Sequence, residues 1–478
     1  MAVKSRLNEE VLAKLGVTKL AELVLSEAQH APAFRRRVTA ALAAIKGPDA
    51  VAAIIDRRLA ALERARGFIE WEHAKTFAND LRATVTTITE ELGKTDPDAT
   101  IDRLVRFLGA AETVFERIDD SSGRIQDIFH IAADAIPRLA AALPGKRKAT
   151  LLDRLHHRLV DDDYGLCSEL LKELLPLLPA VSIETWDSRL VDEVRSLSAI
   201  KGAKEDWRRG AKLDRLIRLR QSIADSRGDS DAFIALEHSR AKRQLNTLAI
   251  AERLLRAGRH AEALEWVRKP NGFGMKNLTW TDIHAGVDPS GFETPERIFL
   301  ELLILEEKGE KEEAQALRWK TYLESLDVNL LREYVARLAD FEEFDVLDRA
   351  FDHAAAYKDK HRALKLFMSW PKLDLASRLV LGNRDAWDGR QYDLLLPAAE
   401  ALEQNYPAAA TILYRTLLDF ILDQNRSQAY GHAARYLASL DRLGNRISET
   451  DNLVSHAAYE AELRKKHGRK SGFWARVE

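Results

Sequence analysis

Cysteine is almost absent from this 478-residue chain. The single Cys167 excludes an internal disulfide and any structural zinc site built on several thiolates. No stretch approaches the roughly 20 apolar residues that cross a bilayer. The longest candidate, LLKELLPLLPAV, is broken by Lys172, Glu173, Pro176 and Pro179. The opening MAVKSRLNEEVLAKLG is charged and lacks the apolar core of a secretory signal. These absences predict a cytoplasmic protein of a reducing compartment, with no membrane partner. A dominant charge sign is missing too. Lys and Arg number 73 against 75 Asp and Glu, so the net charge is -2 and nucleic acid exerts no global pull. No GxSxG elbow, HExxH or CxxC occurs.

What is present is helical periodicity. In DPDATIDRLVRFLGAAETVFERI, Ile101, Leu104, Val105, Leu108, Ala111, Phe115 and Ile118 recur at three- and four-residue steps and form one apolar stripe. Asp96 is a suitable N-cap and Pro97 a suitable first helical residue, because its missing N–H would have no partner there. Only ATVTTIT hints at a strand, and it sits inside a longer helical pattern. The pattern predicts an all-α protein.

Gly, Pro, Asp and Ser punctuate short helices, as in an α-solenoid of stacked hairpins. LLRAGRHAEALEWVRKP places Gly258 before Ala263 and Leu264, and LEEKGEKEEAQALRWKTYL repeats this with Gly309, Ala314 and Leu317. This is the spacing of a tetratricopeptide hairpin, where glycine ends one helix and a small residue lets the next pack closely. KDKHRALKLFMSWP and LEQNYPAAATILYRTLLDF look like versions without the glycine. The first half lacks the signature and reads as irregular HEAT-like hairpins. The glycines and dense charge of AIKGAKEDWRRGAK suggest a boundary, giving arrays at 1–203 and 204–478. A long loop is expected at 269–295, either functional or a surface insertion.

FERIDDSSG, IADSRGDSDAFI, AERLLRAGRHAEALEWV, AQALRWKTYLESL, LFMSWP, YDLLLPAAEALEQNYPAAATILYR, YGHAARYLASL and LRKKHGRKSGFW run nearly end to end. On these stretches the chain resembles a bacterial family of all-helical proteins known only as a domain of unknown function. The resemblance implies a helical-repeat fold and no assigned activity. DDSSG and the hairpins also resemble the helical region downstream of SWIM-type zinc-finger proteins, but this chain cannot supply the cysteines of that zinc site.

The stretch that looks most like a site is Asp119, Asp120, Ser121, Ser122 and Gly123. An EF-hand register with Gly123 sixth puts Ile118 first and Phe129 twelfth, both apolar, and no P-loop lysine follows. The spacing instead predicts a capped turn in which Asp120, Ser121 or Ser122 satisfies the next helix, with anion binding at that helix start as the alternative. LHHRLVDDDYGLC groups His156, His157, three aspartates and Cys167. Adjacent helical side chains point about 100° apart, so a polar helix end is expected rather than a metal site. Cys167 beside Leu166 and Leu170 reads as a small buried hydrophobe. NGFGMKN falls short of a dinucleotide loop, and the RGD at 227–229 reads as a helix-to-helix turn.

Two basic stretches remain. KEDWRRGAKLDRLIRLR carries Lys204, Arg208, Arg209, Lys212, Arg215, Arg218 and Arg220; LRKKHGRKSGFW carries Arg464, Lys465, Lys466, His467, Arg469 and Lys470, followed by Phe473 and Trp474. Basic residues beside aromatics can hold phosphates and stack bases. Solvated helix faces are the competing explanation. No catalytic residue set, cofactor or metal is expected. The leading reading is an interaction scaffold for a protein partner. A nucleic-acid-associated accessory protein using the two basic stretches is second, and an enzyme with dispersed residues third.

Overall fold

The computed structural model describes residues 8–477, apart from 168, 200–206, 241–244, 270–294, 340 and 448–452. The expected 269–295 loop therefore lies almost wholly outside the described residues, as does Lys204. Among the described residues the fold is all-α. Its one β contact is an isolated parallel bridge between Ile69 and Ile118, where Ile69 N–H donates to the Arg117 carbonyl at 2.8 Å.

Helix boundaries follow local chemistry. The Pro97–Leu108 helix starts with Asp96 accepting the Ala99 N–H at 2.9 Å, and Pro97 occupies its first turn. Its stripe does not continue as one rod. The chain turns at Gly109, where a Cβ would meet the Arg158 guanidinium carbon at 2.9 Å, and resumes as Ala111–Phe115. Ile101, Leu104, Leu108, Ala111 and Ile118 are all buried. The ATVTTIT segment is helical. The Trp71–Thr86 helix runs into a π-helical turn at Thr87–Leu92. Hydroxyls of Thr84, Thr86, Thr87 and Thr89 donate to carbonyls four residues back, at 2.8–3.1 Å. Such back-bonding competes with the backbone ladder and loosens a helix locally.

Two compact units are distinguished, Met1–Arg297 and Ile298–Glu478. In the first, one continuous core runs from Ala43 to Ile223, with Phe107 stacked on Phe129 at 4.6 Å. The Trp207–Ser226 helix contributes Leu216 and Ile223 to this core. In the second, the core runs from Tyr322 to Trp474 and includes Phe367, Leu413, Leu418 and Phe473.

One turn recurs. Gly228, Gly258 and Gly309 adopt φ of 66°, 72° and 86°, which only glycine reaches freely. The residue after each donates its N–H to a carbonyl five back: Asp229 to Ala224, Arg259 to Leu254 and Glu310 to Leu305, each at 2.9 Å. This closes the helix end in a Schellman turn. Ala263 and Ala314, which follow two of these glycines, are fully buried in the next helix. Asn425, at φ 52°, does the same work after the Pro407–Asp423 helix, with Arg426 N–H on the Ile421 carbonyl at 3.1 Å.

Candidate functional site

The acidic loop is organised around Asp120. Its Oδ2 accepts the N–H groups of Ile125 and Gln126, each at 2.9 Å, at the start of the Arg124–Ala141 helix. Gly123 at φ 69° folds the loop so that the carboxylate reaches over the helix end. The Asp119 carboxylate accepts the Ser121 N–H at 3.0 Å, and the Ser122 hydroxyl donates to Asp120 at 3.4 Å. The first-turn donors of this helix are thus met from within the loop.

The same device appears 42 residues on. Asp162 accepts the N–H groups of Leu166 and Cys167 at 2.9 and 2.8 Å, and Gly165 again has φ 69°. Cys167 is buried, and burial first, then the Asp162 charge, pushes its thiol up to about 12. At neutral pH it is a thiol, the wrong form for a nucleophile or a metal ligand. The two histidines upstream have ring centroids 5.3 Å apart, edge to face, but differ in burial. His157 is exposed, while His156 is buried, takes a hydrogen bond from Trp186 Nε1 at 3.1 Å and contacts Glu193 at 2.9 Å. Burial lowers its pKa, with Glu193 opposing.

The first basic stretch lies against acids of its own unit. Lys212 pairs with Asp161 at 2.8 Å; Arg215 pairs with Asp163 at 2.7 Å and donates to the Val160 and Asp162 carbonyls. Arg218 pairs with Asp214 and Arg220 with Asp187. Arg208 and Arg209 are exposed, with Arg208 over the outward-facing Trp207 ring.

The C-terminal stretch is handled similarly. Arg464 pairs with Glu460 at 3.0 Å, Lys465 with Glu462 at 3.6 Å and Lys466 with Asp423 at 2.7 Å. Lys470 bonds Asn425, and His467, buried, lies 3.1 Å from Asp423 with its pKa lowered by burial. Arg469 is exposed. The aromatics face inward: Phe473 and Trp474 are buried, Phe473 lies against Tyr430, and Trp474 donates to the His467 carbonyl at 3.0 Å beneath the Arg464 guanidinium.

Three features are not evident as sites in the sequence. Glu237 is 1% exposed, its carboxyl held by Gln221 at 2.6 Å, Arg240 at 3.0 Å and the Asn246 N–H at 2.7 Å. Arg318, also 1% exposed, bonds Glu306, Glu333 and Gln315 beside a cleft of about 440 Å³ that Lys311 and Arg337 also line. The third is apolar. The Gly16–His30 and Pro32–Ala44 helices bury only Ala28, Ala40 and Ala43 between them, and leave Val17, Leu23, Leu25 and Leu42 outside, with Ile45 just beyond. The signal for it was the width of the apolar set in GVTKLAELVLSEAQH, which covers more than one helix face.

No described helix is long and apolar enough to cross a membrane. Comparison with known proteins places the chain by sequence alone. A family of unknown function (DUF6880) has a model that matches residues 2–476, and the chain belongs to it. No curated protein and no solved structure matches.

Proposed function

We propose that this protein is a binding module without chemistry of its own, and that it docks an amphipathic helix of another protein on its N-terminal hairpin. The observation that carries this reading is the exposed apolar surface there, with Val17 at 85% and Ile45 at 82% exposure. An exposed apolar patch is the usual mark of an interaction surface. Arg35 lies seven residues from Leu42 on the same side of its helix, so acids flanking the partner's apolar stripe would be favoured.

The distribution of charge supports protein binding over nucleic-acid binding. A phosphate-binding surface needs cations free to release counterions. Here Lys212, Arg215, Arg464 and Lys466 already face carboxylates. The test is affinity capture from native cells with mass spectrometry, comparing the wild type with Leu25→Asp/Ile45→Asp and with Lys465→Glu/Arg469→Glu. The N-terminal pair should lose the partner at unchanged helicity, and the C-terminal pair should keep it. Loss only with the C-terminal pair, or co-purifying nucleic acid released by salt, would overturn the reading.

A further inference from the structure

Asp441 sits near the end of the Tyr430–Gly444 helix, and His456 and Glu460 lie four apart on the His456–His467 helix. One ligand atom from each comes within 4.8 Å of the others. The closeness has a backbone cause. A Cβ on Gly444 would meet the His456 Cβ at 3.0 Å, so glycine lets the second helix start directly against the end of the first. Ser455 caps that start by accepting the Ala458 N–H at 3.3 Å. The four-residue spacing sends His456 and Glu460 out on one face.

The imidazole is the informative member. Its side chain is 17% exposed, with Nε2 2.6 Å from Asp441 Oδ1, while Nδ1 is buried and has no hydrogen-bond partner. An ion taken by Nε2 would leave Nδ1 as it is, so the closeness of the three ligand atoms across two helices carries the site. Glu460 is only partly occupied, because Arg464 engages its Oε1 alone. Two carboxylates and a neutral imidazole sum to -2, the charge that balances a divalent cation. Nitrogen in the set favours zinc-class ions over calcium or magnesium, which take oxygen. Three protein ligands would leave a fourth position for water or for a side chain of a partner.

We propose that Asp441, His456 and Glu460 form a binding site for a divalent transition-metal ion of the zinc class. No short sequence motif marks it, because the first ligand lies 15 residues before the second on another helix. Binding would clamp the two helices together and release the Asp441–His456 hydrogen bond. The test is calorimetric titration of untagged, metal-free full chain with zinc chloride, with cobalt absorption as a second readout of coordination. One ion per chain is expected, with a raised melting temperature. Asp441→Asn and Glu460→Gln, which preserve shape, should each weaken binding at least about 10-fold, since even second-shell changes cost that much. His157→Gln, at an exposed histidine of the other unit, should leave binding unchanged. No saturable binding, or wild-type affinity in both Asp441→Asn and Glu460→Gln, would overturn the proposal.

Discussion

Two backbone N–H groups at the start of the Arg124–Ala141 helix end on one carboxylate, that of Asp120. Neither Ser121 nor Ser122 accepts from that helix through its side chain in any described bond. Asp120→Ala should therefore cost about 1–2 kcal/mol, and Ser121→Ala or Ser122→Ala under about 0.5 kcal/mol, measured by urea unfolding. The reverse ranking would contradict the capping geometry. Three competent side chains stand in the sequence; the positive φ of Gly123 selects among them, and no composition rule reports it. Cys167 makes a second case. With its thiol pushed up from 9.0 to about 12, the native chain should resist a thiol reagent at pH 8 and label only in denaturant. The sign for stability follows. The folded value lies above the unfolded one, so the contribution is complete below about pH 9 and is lost as pH rises toward 12. Fast labelling of the native chain would show the site to be open.

At the scale of elements, glycine placement was the most legible feature. Gly228, Gly258 and Gly309 end helices by the same turn, which also accounts for the RGD: Gly228 takes the left-handed position, and Asp229 caps the next helix by accepting the Ala232 N–H at 2.9 Å. The π-helical turn was not legible, because no single residue marks it; the hydroxyls of Thr84, Thr86, Thr87 and Thr89 back-bond before and within it. Nor was the buried network that joins the Trp207–Ser226 and Ser230–Ser239 helices through Gln221 and Glu237. Glu237→Ala would leave Gln221 and the Asn246 N–H without their acceptor while Arg240 keeps Asp214, and should cost about 1–3 kcal/mol in the first unit. A loss under about 1 kcal/mol in calorimetric unfolding would mean the network is solvated. The C-terminal segment allows a paired comparison. Trp474→Ala should cost about 3 kcal/mol or more, as buried aromatics do, while Lys465→Glu stays within about 0.5 kcal/mol because its pair is exposed. Equal effects would contradict the inward docking of the aromatics.

Across the whole molecule, a near-neutral net charge conceals extensive local pairing. The cations of 464–470 look poorly neutralised in the sequence because one carboxylate partner, Asp423 of Lys466, lies on the distant Pro407–Asp423 helix. Periodicity was enough to read the helical class. The compact units divide at 297/298, inside a stretch whose sequence carries no shift in charge or periodicity. Nor could periodicity show which apolar residues stay outside, because burial depends on the neighbour each helix receives. On the N-terminal hairpin Val17, Leu23, Leu25, Leu42 and Ile45 are exposed among the described residues, and the functional reading rests there. Hydrogen–deuterium exchange of the chain, free and in complex with its captured partner, tests that reading most directly. Slowed exchange across residues 12–45, with 204–220 and 464–474 unchanged, is the expected result. Protection confined to either basic stretch, with 12–45 exchanging as in the free chain, would contradict it.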